Sequence, residues 1–329
     1  MIEFNGTNAL YWSRLSSRKT YGAILEEIAP EYPNLMVLVA DVAASAGLTV
    51  FSQKFPSQFL NVGIAEQNMI GVAAGLAKAR KCVFAASFAP FASMRCYEMI
   101  RNYLGYMNLN VKVVGLASGL SMGVGGNTHY GLEDLAITKM IPNLTVVSPA
   151  DCTETAKAIL ALTDYKGPAY LRLTGVAGNP AVYKEDYTFE LGKGIVLREG
   201  KDIAIIATGT MVYESIRASR VLQRKNIDCT IVDMHTIKPL DIKLLDQLFA
   251  SHKLIVTVEE HSIIGGLGSA VAEHKTGIVN TPKQIMIGLP DTFGKAGDYP
   301  WLLAQYGLTA KAIAEKIEKE WMTIEKGGN

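Results

Sequence analysis

The chain has 329 residues, of which 49% are hydrophobic and 19% are charged, and its formal net charge is +1. This length predicts two domains with large buried cores, and the near-neutral charge argues against a nucleic-acid-binding or membrane-surface protein. The four cysteines fit no zinc or redox spacing and are expected to be buried thiols of a reducing compartment. The sequence has no signal-peptide core and no stretch of membrane-spanning length, so we expect a soluble, cytoplasmic protein.

Short apolar runs alternate with helical segments along the first half of the chain. The run at residues 35–41 is continuous and ends in Asp41, which is typical of a strand that is buried on both faces. Further strands are predicted at 83–87, 111–116, 144–148 and 170–173, and helices at 21–29, 68–79, 94–106, 132–140 and 151–162. This alternation predicts a mostly parallel sheet with helices on both faces.

A break follows at residues 175–186, which are rich in glycine, proline and charge, and we predict the domain linker there. The pattern then restarts, with strands predicted at 203–207, 229–233, 254–258 and 284–288 and helices at 211–225, 242–251, 265–275 and 309–326. We therefore predict two consecutive α/β domains with mostly parallel sheets, residues 1–182 and residues 183–329.

Residues 59–77 are the stretch around which the rest is organised. Strand-like residues lead through Gly63 into a helix of small side chains, and Glu66 lies in the opening turn of that helix. A helix so poor in bulky residues can pack close to a neighbour, where Glu66 would lie in an apolar crevice. Its pKa would then be raised, and it could share a proton with a ligand nitrogen. The alternative is an ordinary acidic residue favoured by the helix dipole.

Ligands of open α/β sheets bind beyond the carboxyl ends of the strands, and four strand ends carry candidate groups. They are Asp41 to Ser45, Phe88 with Phe91, the glycine-rich loop 115–130 with His129, and Arg172. The two phenylalanines are candidates for an aromatic wall or for ordinary core residues. His129 is a candidate for a ligand contact or for a structural histidine.

The glycines form neither a Walker loop nor a dinucleotide-binding fingerprint, and no Gly-Asp-Gly followed by Asn occurs. We therefore predict no self-contained magnesium–diphosphate site and no metal ligands in this chain. The sequence from Glu259 to His261, followed by Gly265 to Gly268, favours a packing turn over a ligand site.

Together, these stretches resemble the C-terminal half of transketolase in its split-gene form. The most specific matching segments are 61–67, 87–91, Thr128-His129 with 132–135, 141–151 and 259–269. The resemblance implies a thiamine-diphosphate pyrimidine-binding domain followed by a transketolase C-terminal-like domain. It also implies that an N-terminal partner subunit holds the diphosphate and Mg²⁺, in an α₂β₂ heterotetramer in which this chain pairs with a second copy of itself.

The resemblance implies a catalytic role for Glu66 and a cofactor-binding role for four further residues. Glu66 would hydrogen-bond to N1′ of the aminopyrimidine and so promote proton removal from the thiazolium carbon that attacks a ketone. Phe88 and Phe91 would form the aromatic wall around the pyrimidine. Met94 would fill the place of a third aromatic residue, and Asp41 would line the pocket.

The substrate side of the resemblance is less complete. His129 would contact the donor's hydroxyls, and Arg18 and Ser45 would hold a distal phosphate. Three substrate-binding side chains of the family, a histidine, an acceptor-binding aspartate and a phosphate-binding arginine, are replaced by Ala117, Gly125 and Gly175. Arg95 and Arg101 lie on a predicted helix nearby and are candidates to compensate for these losses, although solvent-facing positions are favoured.

The expected activity is therefore transfer of a two-carbon ketol unit from an anionic ketose donor to an aldehyde acceptor, with altered substrate recognition. One alternative is a subunit of a pyruvate-decarboxylating enzyme, such as 1-deoxyxylulose-5-phosphate synthase or the beta subunit of pyruvate dehydrogenase. A second alternative is a non-catalytic paralogue.

Overall fold

The computed structural model describes residues 2–327, which form two α/β units, each with its own sheet. The strands are Leu35–Val39 (β1), Phe59–Asn61 (β2), Cys82–Phe88 (β3), Val111–Ser118 (β4), Thr145–Val147 (β5), Ala169–Thr174 (β6), Ile195–Arg198 (β7), Ile203–Ala207 (β8), Cys229–Asp233 (β9), Thr236–Lys238 (β10), Leu254–Ser262 (β11) and Lys283–Leu289 (β12). The predicted fold class, two α/β units with mostly parallel sheets, is confirmed.

Helices cover both sheets. They are Gly6–Leu15 (α1), Ser17–Ile28 (α2), Thr49–Lys54 (α3), Glu66–Lys78 (α4), Tyr97–Met99 (α5), Asp134–Lys139 (α6), Cys152–Asp164 (α7), Met211–Gln223 (α8), Ile242–Ser251 (α9), Leu267–Lys275 (α10), Tyr299–Gln305 (α11) and Ala310–Gly327 (α12). Phe91–Arg95 and Ile100–Tyr106 are π-helical, and Ala29–Glu31, Pro56–Gln58 and Gly123–Thr128 are 3₁₀ turns. Within residues 2–327, no helix is both long and apolar enough to cross a membrane.

The first sheet has the strand order β10-β5-β6-β4-β3-β1-β2, and the second has the order β12-β11-β8-β9-β7. All neighbouring strands are parallel except β10 on β5 and β7 on β9. Strand β10 comes from the second half of the chain but completes the first sheet, where Thr236 pairs with Val147. The two units are therefore joined by backbone hydrogen bonds as well as by side-chain packing. The division at residues 182/183 remains a prediction.

Buried carboxyl groups meet where the two units pack together. Tyr183 donates a hydrogen bond to Asp233 at 2.8 Å, and Tyr187 donates one to Glu154 at 3.1 Å. Burial raises the pKa of Asp233 to about 7, and burial together with the nearby charge of Asp233 raises the pKa of Glu154 well above its usual range. Oδ1 of Asp233 has no hydrogen-bond partner among the described residues, and a proton on the neighbouring Glu154 would supply one.

We expect the chain to lose stability between about pH 5 and pH 8. Up to about pH 7 the folded Glu154–Asp233 pair keeps a proton that unfolded carboxyl groups, with pKa near 4, have already released. Stability is therefore lost as the pH rises through the folded pKa of about 7, by about 2–3 kcal/mol in total. Melting temperatures measured across this range should fall for the wild type and fall less for Asp233→Asn.

Asp291→Asn is the matched control, because Asp291 is exposed. This variant should keep the wild-type slope. A wild-type melting temperature that does not change between about pH 5 and pH 8 would contradict a protonated carboxyl pair at the contact between the units.

Candidate functional site

The carboxyl ends of β1, β3 and β4 lie side by side at one edge of the first sheet. Val39 pairs with Ala86, and Phe88 pairs with Leu116, all in parallel register. Because parallel strands deliver their following loops to the same edge, the segments after these strands meet there. Asp41, Ser45, Phe88, Phe91 and His129 lie on these segments, and Glu66 follows β2, whose end pairs with that of β1.

Glu66 is the first residue of α4 and is only 3% exposed, although first-turn residues are usually accessible. Gly63, with φ of 75°, turns the chain from β2 towards the helix, a conformation that suits glycine. Nη1 of Arg95 donates a hydrogen bond to Oε2 of Glu66 at 2.8 Å. Burial and the nearby Glu66 charge raise the pKa of Cys96 to about 12, so this thiol stays neutral.

The side-chain amide of Asn61 links Asp41 to the turn before Glu66. Asp41 adopts a left-handed conformation with φ of 58°, which is uncommon outside glycine. Its backbone N–H donates to Oδ1 of Asn61 at 3.0 Å, and Nδ2 of Asn61 donates to the Asp41 carboxylate at 3.2 Å. Because Gly63 N–H also donates to Oδ1 of Asn61, at 3.0 Å, this residue holds the end of β1 beside the start of α4.

Three aromatic rings form a cluster that Arg95 connects to Glu66. The Phe88 and Phe91 centroids are 6.4 Å apart, and the His129 centroid is 5.4 Å from Phe91 and 6.4 Å from Phe88, all in edge-to-face arrangements. All three residues are only partly buried, so their rings are not sealed in the core. The guanidinium carbon of Arg95 lies 4.4 Å from the Phe91 ring centroid. Met94 is 41% exposed, and its role in the pocket remains a prediction.

The loop that carries His129 is fixed to the second unit. The side chain of Asn127 donates to the Gly294 carbonyl at 2.6 Å and accepts from the Gly294 N–H at 2.8 Å. The Tyr130 hydroxyl lies 3.0 Å from the Lys295 carbonyl. His129 itself has its Nδ1 2.9 Å from the Thr128 hydroxyl. The second unit therefore determines where the His129 ring lies.

The base of the same loop is fixed by a buried glutamate. Glu260 accepts hydrogen bonds from the Leu120 N–H at 2.6 Å, the Thr210 hydroxyl at 2.6 Å and the Tyr299 hydroxyl at 2.7 Å. A Cβ on Gly119 would lie 2.2 Å from its carboxylate oxygen, so the backbone approaches as closely as glycine permits. The packing interpretation of residues 259–261 agrees with these contacts.

Arg172 does not reach the pocket. Its guanidinium is fully buried, and Nε lies 2.9 Å and 3.1 Å from the two carboxylate oxygens of Asp134. Nη2 donates to the carbonyls of Gly131 and Glu260, both at 2.9 Å. Because the guanidinium of Arg172 is engaged in these buried hydrogen bonds, it stabilises the fold and is not available to a ligand.

Arg18 and Ser45 lie on segments that pack directly against each other. Helix α2, which carries Arg18, meets the loop after Ser45 so closely that a Cβ on Gly22 would lie 2.1 Å from the Gly47 carbonyl oxygen. Burial lowers the pKa of Arg18, and its buried Nε has no hydrogen-bond partner among the described residues. An unpaired, partly buried cation fits an anionic ligand group.

The three replaced substrate positions differ in how much space surrounds them. A Cβ on Gly125 would make ordinary contacts of 3.4 Å with His129, so a side chain fits there. Gly175 has φ of 84°, and a Cβ would lie 2.3 Å from the Asn179 side chain. An arginine at 175 is therefore incompatible with this backbone. Ala117, at φ of 52°, is fully buried.

Three residues in these contacts were missed by sequence reasoning: Asn61, Arg95 and Asn127. Arg95 is exposed, as expected, but its guanidinium also pairs with Glu66 and lies over the Phe91 ring, which the sequence did not predict. The apolar positions on either side of Arg95 indicate a helix but give no information about the direction of a long, flexible side chain.

The structure defines a two-domain α/β protein with a buried acid at a helix start and an aromatic cluster at one edge of the first parallel sheet. The family models for the transketolase pyrimidine-binding domain and the transketolase C-terminal domain match residues 13–176 and 192–313. The chain belongs to the transketolase family, whose domains imply dependence on thiamine diphosphate.

Three relatives cover most of the chain. A Methanocaldococcus jannaschii protein named as a transketolase C-terminal section is 45% identical over 305 residues, 92% of this chain and 95% of that one. A 6-deoxy-6-sulfo-D-fructose transketolase subunit of a Clostridium species is 39% identical, over 90% of this chain and 91% of its own. An apulose-4-phosphate transketolase subunit of Phocaeicola vulgatus is 36% identical, over 92% of this chain and 96% of its own.

A solved structure shares both the fold and the length of this chain. A split-gene transketolase, described as an inactive β4 tetramer, is 40% identical and has a TM-score of 0.86. The match covers 94% of this chain and 99% of that one. This protein is thus similar over 94% of its length to a split-gene transketolase chain.

Proposed function

We propose that this chain is the pyrimidine-side subunit of a split transketolase that transfers a two-carbon ketol unit from a ketose to an aldehyde. The observation that carries the proposal is the buried Glu66 carboxylate, which Arg95 connects to the cluster of the Phe88, Phe91 and His129 rings. A buried acid next to accessible aromatic faces fits a flat, nitrogen-bearing ring such as the aminopyrimidine of thiamine diphosphate.

Each residue of the site has a distinct task in this proposal. Bound thiamine diphosphate supplies a nucleophilic carbon and takes up the electron pair when the ketose C–C bond breaks. Glu66 would hydrogen-bond to the pyrimidine nitrogen through its carboxyl group, and its burial keeps water out of that contact. Phe88 and Phe91 pack against the ring and exclude water. Asp41, held by Asn61, and Met94 complete the pocket wall.

The partner in this proposal is an N-terminal transketolase subunit that holds the diphosphate and Mg²⁺, in an α₂β₂ assembly. Support comes from exposed apolar side chains on two segments next to α4: Ile64, just before the helix, is 78% exposed, and Tyr106, on the Ile100–Tyr106 segment that contacts it, is 87% exposed. A Cβ added to Gly75, on the same helix, would meet no atom within 4 Å. An exposed apolar surface beside a face of small residues fits a subunit interface, including a second copy of this chain.

The proposed substrate is an anionic sugar that differs from the usual pentose phosphates. Arg18 offers a partly buried, unpaired cation with Ser45 close by, whereas Gly175 has no room for a second arginine. His129 is placed to contact donor hydroxyls, and no side chain projects from Gly125. The relatives support a variable substrate, since their names specify a sulfonated ketose in one case and apulose 4-phosphate in another.

The test is an assay of the complex reconstituted with its partner subunit, thiamine diphosphate and Mg²⁺. Ketol transfer from fructose 6-phosphate or 6-deoxy-6-sulfofructose to an aldehyde is expected, without release of carbon dioxide from pyruvate. Carbon dioxide release in place of ketol transfer would instead establish the pyruvate-decarboxylating alternative. Absence of any cofactor-dependent turnover with the partner would favour the non-catalytic alternative.

A further inference from the structure

Arg95 makes two contacts that a bound pyrimidine would also make. It ends the π-helical turn Phe91–Arg95, donates to Glu66 at 2.8 Å and lies with its guanidinium carbon 4.4 Å from the Phe91 centroid. The wide i→i+5 turn places positions 91 and 95 nearly above one another, which brings the flat guanidinium over the ring. One planar, nitrogen-bearing group thus satisfies both the acid and the aromatic face.

We propose that Arg95 occupies the place of the cofactor's aminopyrimidine in the unloaded subunit and must release Glu66 when the cofactor binds. This inference rests on the proposed function, because it takes Glu66 and Phe91 as the pyrimidine's partners. Its physical basis is that a buried carboxylate without a partner is costly, so the empty pocket needs a counter-charge. A guanidinium is suited to this role, since it donates in its plane and stacks through its face.

The Arg95 side chain can leave without disturbing the rest of the site. It is 47% exposed, whereas that of Glu66 is only 4% exposed, so the guanidinium reaches the acid from the solvent side. Its backbone is anchored separately, since the Gln67 side chain donates to the Arg95 carbonyl at 3.2 Å. Only the flexible side chain of Arg95 has to move. The Glu66 carboxylate and the Phe91 ring can then contact the ligand.

The exchange sets the apparent affinity for the cofactor. In the open form, Arg95 has left Glu66. The apparent affinity of a ligand that binds only this form is its intrinsic affinity multiplied by the fraction of molecules in the open form. A half-exposed ion pair and an exposed cation–π contact each favour the closed form by a small factor. Removing Arg95 should therefore tighten cofactor binding by about three- to tenfold. Lysine keeps the charge but not the planar stacking, so Arg95→Lys should lie between the two.

The test is to titrate the reconstituted complex with thiamine diphosphate in the presence of Mg²⁺ and to measure Kd by isothermal titration calorimetry. Arg95→Ala is expected to lower Kd by about three- to tenfold, and Arg95→Lys by less. Arg101→Ala is the matched control: Arg101 is an exposed arginine six positions along that bonds to Asn102, and its removal should leave Kd unchanged. A merely structural lesion would weaken binding, so the direction of the change is diagnostic.

The outcomes separate this inference from the proposed function. If the wild-type complex binds thiamine diphosphate and Arg95→Ala binds it equally or less tightly, the inference is overturned and the proposed function stands. If the wild-type complex binds no thiamine diphosphate, the proposed function fails and the inference falls with it. If Arg95→Ala binds thiamine diphosphate more tightly and Arg101→Ala keeps the wild-type Kd, the inference and the proposed function are both supported.

Discussion

Glu66→Gln in the reconstituted complex is expected to lower kcat for ketol transfer by about 10³-fold, within the range set by a positioned proton-transfer group. Glutamine keeps the length and the hydrogen-bonding oxygen of the side chain but cannot hold or pass on a proton. Because Glu66 is 3% exposed, water does not take over this task in the variant. The measurement is steady-state turnover at saturating cofactor and donor.

The control for this substitution is Glu98→Gln. Glu98 lies in the neighbouring helical segment, is exposed and bonds to Asn102, so its carboxylate is outside the pocket. Its loss should change kcat by less than about twofold, consistent with a surface position. Turnover of Glu66→Gln within tenfold of the wild type would show that Glu66 is not the proton-holding group, whatever the cofactor affinity.

The sheets could be predicted because their central strands are local apolar runs. The predicted bounds of β8, β9 and α9 coincide with those in the structure, since each element carries its own hydrophobic pattern. Strand β10 has three residues and forms only because β5, from the other half of the chain, pairs with it. The residues near β10 in the sequence do not indicate this pairing with β5. Helix α1 was likewise missed, because few of its residues are buried.

The site divides in the same way. Glu66, Phe88, Phe91 and His129 could be singled out because each lies at a strand end or helix start that short sequence patterns define. The contacts that hold them could not, since Arg95 is 29 residues from Glu66 and Asn127 is 167 residues from Gly294. Side-chain pairs between distant segments depend on the assembled fold, which periodicity alone does not specify.

Arg172→Met is expected to be the most destabilising single change in the chain, because it leaves Asp134 as an unpaired charge in the core. Both side chains of this ion pair are at most 1% exposed, and Tyr170 donates a further hydrogen bond to the carboxylate at 2.7 Å. Breaking one half of such a buried pair costs about 3–5 kcal/mol, more than the pair itself contributes over an apolar core. The carbonyls of Gly131 and Glu260 would also lose the hydrogen bonds that they accept from Arg172.

The expected result is a melting temperature about 10 °C below that of the wild type. Removing both charges in Arg172→Met with Asp134→Asn should recover part of this loss, since no unpaired ion then remains. Arg198→Met is the matched control, because the Arg198–Asp228 pair is 31% and 39% exposed and should matter by less than about 1 kcal/mol. A melting temperature for Arg172→Met within about 2 °C of the wild type would mean that water or a rearranged neighbour compensates Asp134. In that case the contact between Glu260 of the second unit and Gly131, in the segment that follows His129, would not depend on this ion pair.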